Sequence, residues 1–216
     1  MKMKKSPQQS GETLMGLLVG LAIGLTVLAA GTLMLAQLMQ GHRRNLQTSH
    51  LQQDLRVTMD WMARELRHAQ YSAKAWQTRS PSRCIDPFCD DSKDSDGYED
   101  FSILKDWIDF SFDRNHNGEK DDNECTGFRL ADNAVMVKRS CKDGGQWQPM
   151  TSPQNIVITD MHWELLCTLT QGWFHRSVRL SVSGHWPGNA SQKISLEQTI
   201  DLRNDLPAVV QEKFCT

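Results

Sequence analysis

The feature that most constrains the fold is an apolar run near the N-terminus without charged side chains. Residues 13–41 include no Asp, Glu, Lys or Arg. A helix over residues 14–39 exceeds the roughly 30 Å hydrocarbon layer of a membrane, at about 1.5 Å per residue. The apolar part of a secretory signal is shorter, about 7–15 residues. We therefore predict a membrane helix that is kept rather than discarded.

Three lysines, Lys2, Lys4 and Lys5, precede this run. Positive residues stay on the cytoplasmic side of a membrane, so the rest of the chain is expected to be exported. His42, Arg43 and Arg44 weaken this asymmetry without reversing it. The sequence therefore predicts a single membrane pass followed by an exported head.

Beyond the apolar run, the helical pattern continues with polar residues on one face. The apolar residues step by three or four, which is the spacing of one helical face. We predict one helix over residues 13–71, half in lipid and half packed on a globular head; two helices broken near Gly41 are the alternative. The apolar residues of the second half are Leu51, Leu55, Met59, Met62, Leu66 and Ala69.

All six cysteines lie after the apolar run, and none forms a CxxC pair. An even number in an exported domain is typical of disulfides, with free thiols or a metal site as the alternatives. The disulfide candidates are Cys84, Cys89, Cys125, Cys141, Cys167 and Cys215.

After residue 71 the pattern changes to short alternating segments typical of strands. Six are predicted, over residues 106–112, 126–131, 134–140, 155–167, 177–186 and 193–203, with a turn at 187–191 between the last two. Such strands form an antiparallel sheet against the helix, which makes the fold class α+β.

The strands suggest how the cysteines pair. A hairpin turn centred on residues 132–133 places Cys125 nearly opposite Cys141. The remaining cysteines would then pair as Cys84 with Cys89 and Cys167 with Cys215, although six cysteines allow fifteen connectivities.

An acidic stretch at residues 113–124 matches part of a calcium-binding loop pattern. Calcium needs six to eight oxygen ligands on a tightly curled chain, and Gly118 permits a sharp bend. A solvated turn is the alternative, and a second acidic stretch, residues 90–100, is expected to be a mobile loop rather than a calcium site. The candidate ligands are Asp113, Asn115, Asn117, Glu119, Asp121 and Glu124.

Other function classes find no support in the sequence. The net charge of −2 argues against a nucleic-acid partner. There is no HExxH, GxSxG or phosphate-binding glycine loop, and the seven histidines are scattered. We expect no enzyme activity, no small-molecule substrate and no required cofactor, calcium being the one candidate.

Several motifs resemble type IV pilin-like proteins. Gly11, Thr13 and Leu14 match the end of a basic leader and its junction with the helix. The helix end at residues 59–71 resembles the Arg-x-x-x-x-Ala-x-Tyr motif of PilW-type minor pilins and J-type pseudopilins. Residues 112–141 and 144–165 resemble the head of the prepilin-peptidase-dependent protein B group, in which an Asp-x-Asn-x-Asn-Gly turn precedes a Gly-[Phe/Tyr]-Arg-Leu strand.

The resemblance implies cleavage by prepilin peptidase between Gly11 and Glu12, with methylation of Glu12. It implies a leader (1–11), a transmembrane helix (12–40), an amphipathic helix (41–73) and a periplasmic β-rich head (74–216). The implied partners are prepilin peptidase, other minor pilins, the major pilin and the inner membrane. The implied role is to prime or cap a type IV pilus or a type II secretion pseudopilus.

Two positions depart from the family pattern. Glu12 stands where the first mature residue is usually Phe or Met, and Gly16 stands where the fifth is usually Glu. The absence of a glutamate at the fifth position resembles pilins that lie at the tip of the fibre. The competing interpretation is that the carboxylate of Glu12 takes the place of this glutamate. The rival to a pilin is a membrane-anchored periplasmic binding protein or hydrolase with an uncleaved signal anchor.

Overall fold

The computed structural model describes residues 14–89, 100–142 and 146–209. The chain divides into two units, Met1–Gln47 and Thr48–Thr216, each of which is described by itself. The elements in chain order are α1 Leu14–Leu66, α2 Ala75–Thr78, β1 Arg79–Ser80, β2 Arg83–Cys84, β3 Phe101–Ile103, β4 Trp107–Ser111, β5 Cys125–Ala131, β6 Ala134–Lys138, β7 Gln148–Pro149, β8 Val157–Thr170, β9 Trp173–Trp186, β10 Asn189–Asp201 and β11 Leu206–Pro207.

The helix α1 runs through Gly41 without interruption, as predicted, and the alternative of two broken helices is wrong. It ends at Leu66, however, and not at the predicted residue 71. Gln70 adopts a left-handed conformation, with φ of 56°. Its backbone N–H donates to the carbonyl of Ser111 at 2.7 Å, so the chain leaves the helix to join the sheet.

One antiparallel sheet has five strands in the order β3-β4-β5-β6-β7. Asp132 and Asn133 form the tight turn between β5 and β6, with φ of 52° and 59°. Positive φ at both central residues matches the right-handed twist of a two-residue hairpin. The hairpin centred on these residues is therefore confirmed, although β6 ends at Lys138 rather than at residue 140.

The second sheet has β9 at its centre, paired on its flanks with β8, β10 and β11. Its first hairpin differs from the prediction, because β8 continues to Thr170 and β9 already begins at Trp173. The turn at 171–172 was missed. The last turn is tighter than predicted, since β9 ends at Trp186 and β10 begins at Asn189.

The core of the head joins the second half of α1 to both sheets. The helix contributes Leu55 and Met62, which are fully buried, and the first sheet contributes Phe110 and Phe128. The prediction that the apolar helix face packs on an antiparallel sheet is confirmed, and the fold is α+β. The fully buried apolar residues that the second sheet adds are Ile158, Val178, Leu180, Val182 and Ile200.

Candidate functional sites

The first unit presents an apolar helical surface. Every side chain over residues 14–47 is exposed. The helix is long and apolar enough to span a membrane, with a mean hydropathy of 2.3 in its most apolar window, none of which is buried. Apolar surface of this extent marks a site of protein or membrane contact. This half of α1 is therefore a candidate interaction surface.

Three glycines on this surface were missed as a group by the sequence analysis. Gly16, Gly20 and Gly24 follow one another at intervals of four, the small-xxx-small spacing that lets membrane helices approach closely. A side-chain atom built at Gly20 or Gly24 would meet nothing within 4 Å. Gly20 and Gly24 therefore face open space, where the backbone of another helix could approach. The four-residue repeat of glycine is visible in the sequence.

The predicted processing residues lie outside the part of the chain that the structure describes. Gly11 and Glu12 precede Leu14, the first residue of α1. Cleavage between them and methylation of Glu12 stay predictions.

Two of the three predicted cysteine pairs are disulfide-bonded in the structure. Cys84 is bonded to Cys89, with Cα atoms 6.1 Å apart, and Cys125 to Cys141, with Cα atoms 4.8 Å apart. Both separations are ordinary for disulfides. Cys167 is also disulfide-bonded, and Cys215 lies outside the described residues.

The acidic loop after β4 curls sharply, as its sequence suggested. Gly118 has φ of 70°, a left-handed conformation that favours glycine. Asp113 is 1% exposed, and its Oδ2 accepts hydrogen bonds from the backbone N–H groups of Ala73 and Gly118, both at 2.9 Å. This carboxylate ties the loop to the segment after α1.

Glu124 holds the other side of the loop and is fully buried. Its Oε1 accepts from the N–H groups of Arg114 at 2.7 Å and Asn115 at 3.2 Å. Its Oε2 accepts from the N–H of Asp121 at 3.0 Å. Both oxygens are thus hydrogen-bonded to the backbone of their own loop.

Asp121 and Asn117 also face nitrogen donors. Oδ2 of Asp121 accepts from the side-chain amides of Asn115 at 2.6 Å and Asn117 at 3.1 Å. The amide oxygen of Asn117 accepts from the N–H of Glu119 at 2.7 Å.

The residue types suit calcium, but their oxygens do not converge on one point in this arrangement. Calcium requires six to eight oxygens at about 2.3–2.6 Å. Oδ1 of Asp113 is the one buried carboxylate oxygen of Asp113 and Glu124 that has no hydrogen-bond partner. Calcium binding stays a prediction. Residues 90–99 of the second acidic stretch lie outside the described residues, whereas Asp100 is buried and paired with Lys120 at 2.6 Å.

The helix-end motif and the strand motif, which carry the resemblance in the head, contact the core, a pocket and aromatic rings. Of the helix-end motif, Ala69 is fully buried in the core, whereas Arg64 and Tyr71 line a pocket at the end of α1. Of the strand motif at residues 127–130, Phe128 packs edge-on against Trp61, with ring centroids 5.5 Å apart. Arg129 lies over the ring of Trp147, 4.3 Å from its centroid.

Similarity to known proteins agrees with these features. Neither the curated proteins nor the solved structures provide a significant match. The family model described as prepilin peptidase-dependent protein B matches residues 44–202, well over half of the chain. That range begins within α1 and ends just after β10, so it includes the amphipathic part of the helix, the five-stranded sheet and all of the second sheet except β11. The chain therefore belongs to the prepilin peptidase-dependent protein B family and is a pilus-related protein.

Proposed function

We propose that this chain is a minor pilin or pseudopilin that primes or caps a fibre of the type IV pilus or type II secretion kind. One observation carries the proposal. A single helix has every side chain exposed over residues 14–47, and its second half buries an apolar face in a globular head. A helix of this kind can move from lipid into a bundle of similar helices without changing its own structure.

The proposed mechanism is mechanical. Before assembly the apolar half of α1 lies in the inner membrane, and the head lies in the periplasm. During assembly the same surface packs against the helices of the major pilin and of other minor pilins. The spacing of Gly16, Gly20 and Gly24 supports this step, because small residues allow helix backbones to pack closely.

The charges of the leader and the disulfides of the head support a location of the head in the periplasm. The lysines of the leader favour a cytoplasmic N-terminus. Disulfides such as Cys125–Cys141 persist in oxidising compartments such as the bacterial periplasm. The proposed processing enzyme is prepilin peptidase, which would cut after Gly11. We propose no catalytic activity for the head.

A position near the tip is proposed from Gly16. In the family, the glutamate at this position is thought to pair with the N-terminal amine of a neighbouring subunit. A carboxylate in lipid is costly unless it is paired, so it acts as a docking device. A subunit without this glutamate cannot pair with the N-terminal amine of a neighbouring subunit. It can therefore occupy the end of a fibre, where there is no neighbour beyond it.

The experiment compares copy number per fibre for Gly16→Glu, Glu12→Ala and the unchanged chain, each measured on fully processed protein. The proposal expects few copies of the unchanged chain, located at fibre ends by labelling of the head. It expects more copies, distributed along the fibre, for Gly16→Glu. Copies spread along the fibre for the unchanged chain would contradict the tip position. A loss of incorporation for Glu12→Ala would favour the shifted carboxylate on Glu12.

A further inference from the structure

A positively charged pocket lies in the head, beside the end of α1. Its volume is about 560 Å³. Three separate segments line it: the last turn of α1 and the residues after it, the acidic loop after β4, and the segment that follows β10. The arginines that they contribute are Arg64, Arg67, Arg114 and Arg203.

Two carboxylates also line the pocket: Glu65 is ion-paired, and Asp113 is hydrogen-bonded at Oδ2 while its Oδ1 has no hydrogen-bond partner. Glu65 lies 3.5 Å from Arg114 and 3.6 Å from Arg139. Oδ2 of Asp113 accepts two backbone N–H groups, and its side chain is almost fully buried. Neither carboxylate is paired with the remaining three arginines of the pocket.

The side chains of Arg64, Arg67 and Arg203 make no hydrogen bond and no ion pair within the part of the chain that the structure describes. The helix dipole stabilises positive charges at a helix C-terminus, which accounts in part for Arg64 and Arg67 at the end of α1. It does not explain Arg203, which follows a strand. Because the whole chain has a net charge of −2, this positive excess is local.

Aromatic side chains form part of the wall of the pocket, and contacts with neighbouring side chains hold them in place. The guanidinium of Arg114 lies 4.5 Å from the centroid of the Phe112 ring, and the ring of His68 stacks on the same phenyl group. The hydroxyl of Tyr71 lies 3.1 Å from Nδ1 of His116. The pocket therefore combines a preformed aromatic wall with guanidinium groups at its rim.

We propose that this pocket binds the carboxylates of an acidic peptide segment on a neighbouring subunit. Guanidinium groups bind carboxylates through paired, charge-assisted hydrogen bonds. The arginines come from three segments around an open cavity, which suits several carboxylates on an extended chain better than one compact anion such as phosphate. This inference rests on the proposed function for the identity of the partner, since it takes the neighbour to be another pilin.

Binding is tested with the full chain in detergent, by fluorescence anisotropy of a labelled hexaglutamate peptide. The test variant is Arg64→Gln with Arg203→Gln, which removes one unpaired guanidinium from each of two segments. The matched control is Arg56→Gln, because Arg56 is exposed on the same helix but lies outside the pocket. The expected result is a loss of affinity of about tenfold or more for the double variant and less than about twofold for the control.

Four results would overturn the proposal. Three concern the peptide: no saturable binding by the unchanged chain, equal affinity in the double variant, or an equal loss in Arg56→Gln. The fourth is displacement of the peptide by inorganic phosphate at equal concentration, which would refute the choice of a peptide ligand. The single variant Arg203→Gln, whose exposed side chain lies outside the core, is measured as well, so that misfolding of the double variant does not decide the result. Peptide binding is independent of leader cleavage, so failure here is distinguishable from failure of the proposed function.

Discussion

At the scale of single residues, Gly127 shows why the strand motif of the head begins with glycine. It lies between Asp109 on β4 and Lys138 on β6, as the middle member of one row across three strands. The side chains of its two neighbours meet across it, with Oδ2 of Asp109 3.2 Å from Nζ of Lys138. A side-chain atom at Gly127 would collide with the Asp109 carboxylate and reach the ring of Trp147 at 3.1 Å.

The change Gly127→Ala should therefore destabilise the head. The added methyl group would displace the Asp109 carboxylate from its pair with Lys138 and press on Trp147. Overpacking of this kind costs about 1–3 kcal/mol. The free energy of unfolding in urea measures it, with Gly41→Ala as a comparison for the glycine change alone, since a side-chain atom at Gly41 would meet nothing within 4 Å and Gly41 has no positive φ. An unchanged free energy of unfolding for Gly127→Ala would contradict the claim that Asp109 and Lys138 leave no room for a side chain at Gly127.

Glu124 is the second residue with a specific structural role. The change Glu124→Gln replaces one acceptor oxygen by an amide nitrogen, which cannot accept from the N–H groups of the loop. A buried donor left without a partner costs about 1–3 kcal/mol, so the melting temperature of the head should fall. Glu119→Gln is the matched control, because Glu119 is exposed on the same loop. Equal melting temperatures for the two variants would contradict the proposed role of Glu124.

The same pair of variants tests the calcium hypothesis. Calcium binding predicts that the unchanged chain melts at a lower temperature in EDTA and recovers when calcium is added. Since a bidentate glutamate closes a calcium loop, Glu124→Gln should lose this response. A melting temperature that does not respond to EDTA or calcium would refute calcium binding by the loop.

At the scale of elements, the two faces of the second half of α1 differ in what surrounds them. Leu55 is fully buried in the core of the head, whereas Val57, two residues later, is 62% exposed. The change Leu55→Ala should cost about 2–5 kcal/mol, because it leaves a cavity. Val57→Ala should change stability by less than about 0.5 kcal/mol. Urea unfolding measures both, and similar values would contradict the packing of this helix face.

The elements also show where sequence reasoning succeeds. The spacing of Leu51, Leu55 and Met59 predicted the buried face of α1, because helical periodicity depends only on local geometry. The hairpin at Asp132–Asn133 was predictable as well, since both residues tolerate positive φ.

Other elements depend on distant contacts that the sequence does not display. The helix ends at Leu66 because Gln70 bonds to Ser111, which lies in another part of the chain. The strand β11 was missed because it has two residues and contains Pro207, which pairs with Trp173, the first residue of β9. The hydrogen bonds to the carboxylates of the acidic loop could not be predicted from the sequence either. The spacing of Asp, Asn and Glu residues does not show which N–H groups their oxygens accept from.

At the scale of the whole molecule, the chain combines a head with a complete core and a helix with an exposed apolar half. The head, within Thr48–Thr216, carries both large sheets and the disulfides. The exposed half needs lipid or other helices around it. Membership of the prepilin peptidase-dependent protein B family agrees with this division. The central claim is that the leader is removed and the apolar helix is kept.

Mass spectrometry of the N-terminus tests this claim most directly. The chain is purified from cells with active prepilin peptidase and, as a control, from cells without it. The account predicts a chain that begins with methylated Glu12 in the first sample and an intact leader in the second. An intact Met1 in the presence of active prepilin peptidase would contradict the account and support an uncleaved signal anchor.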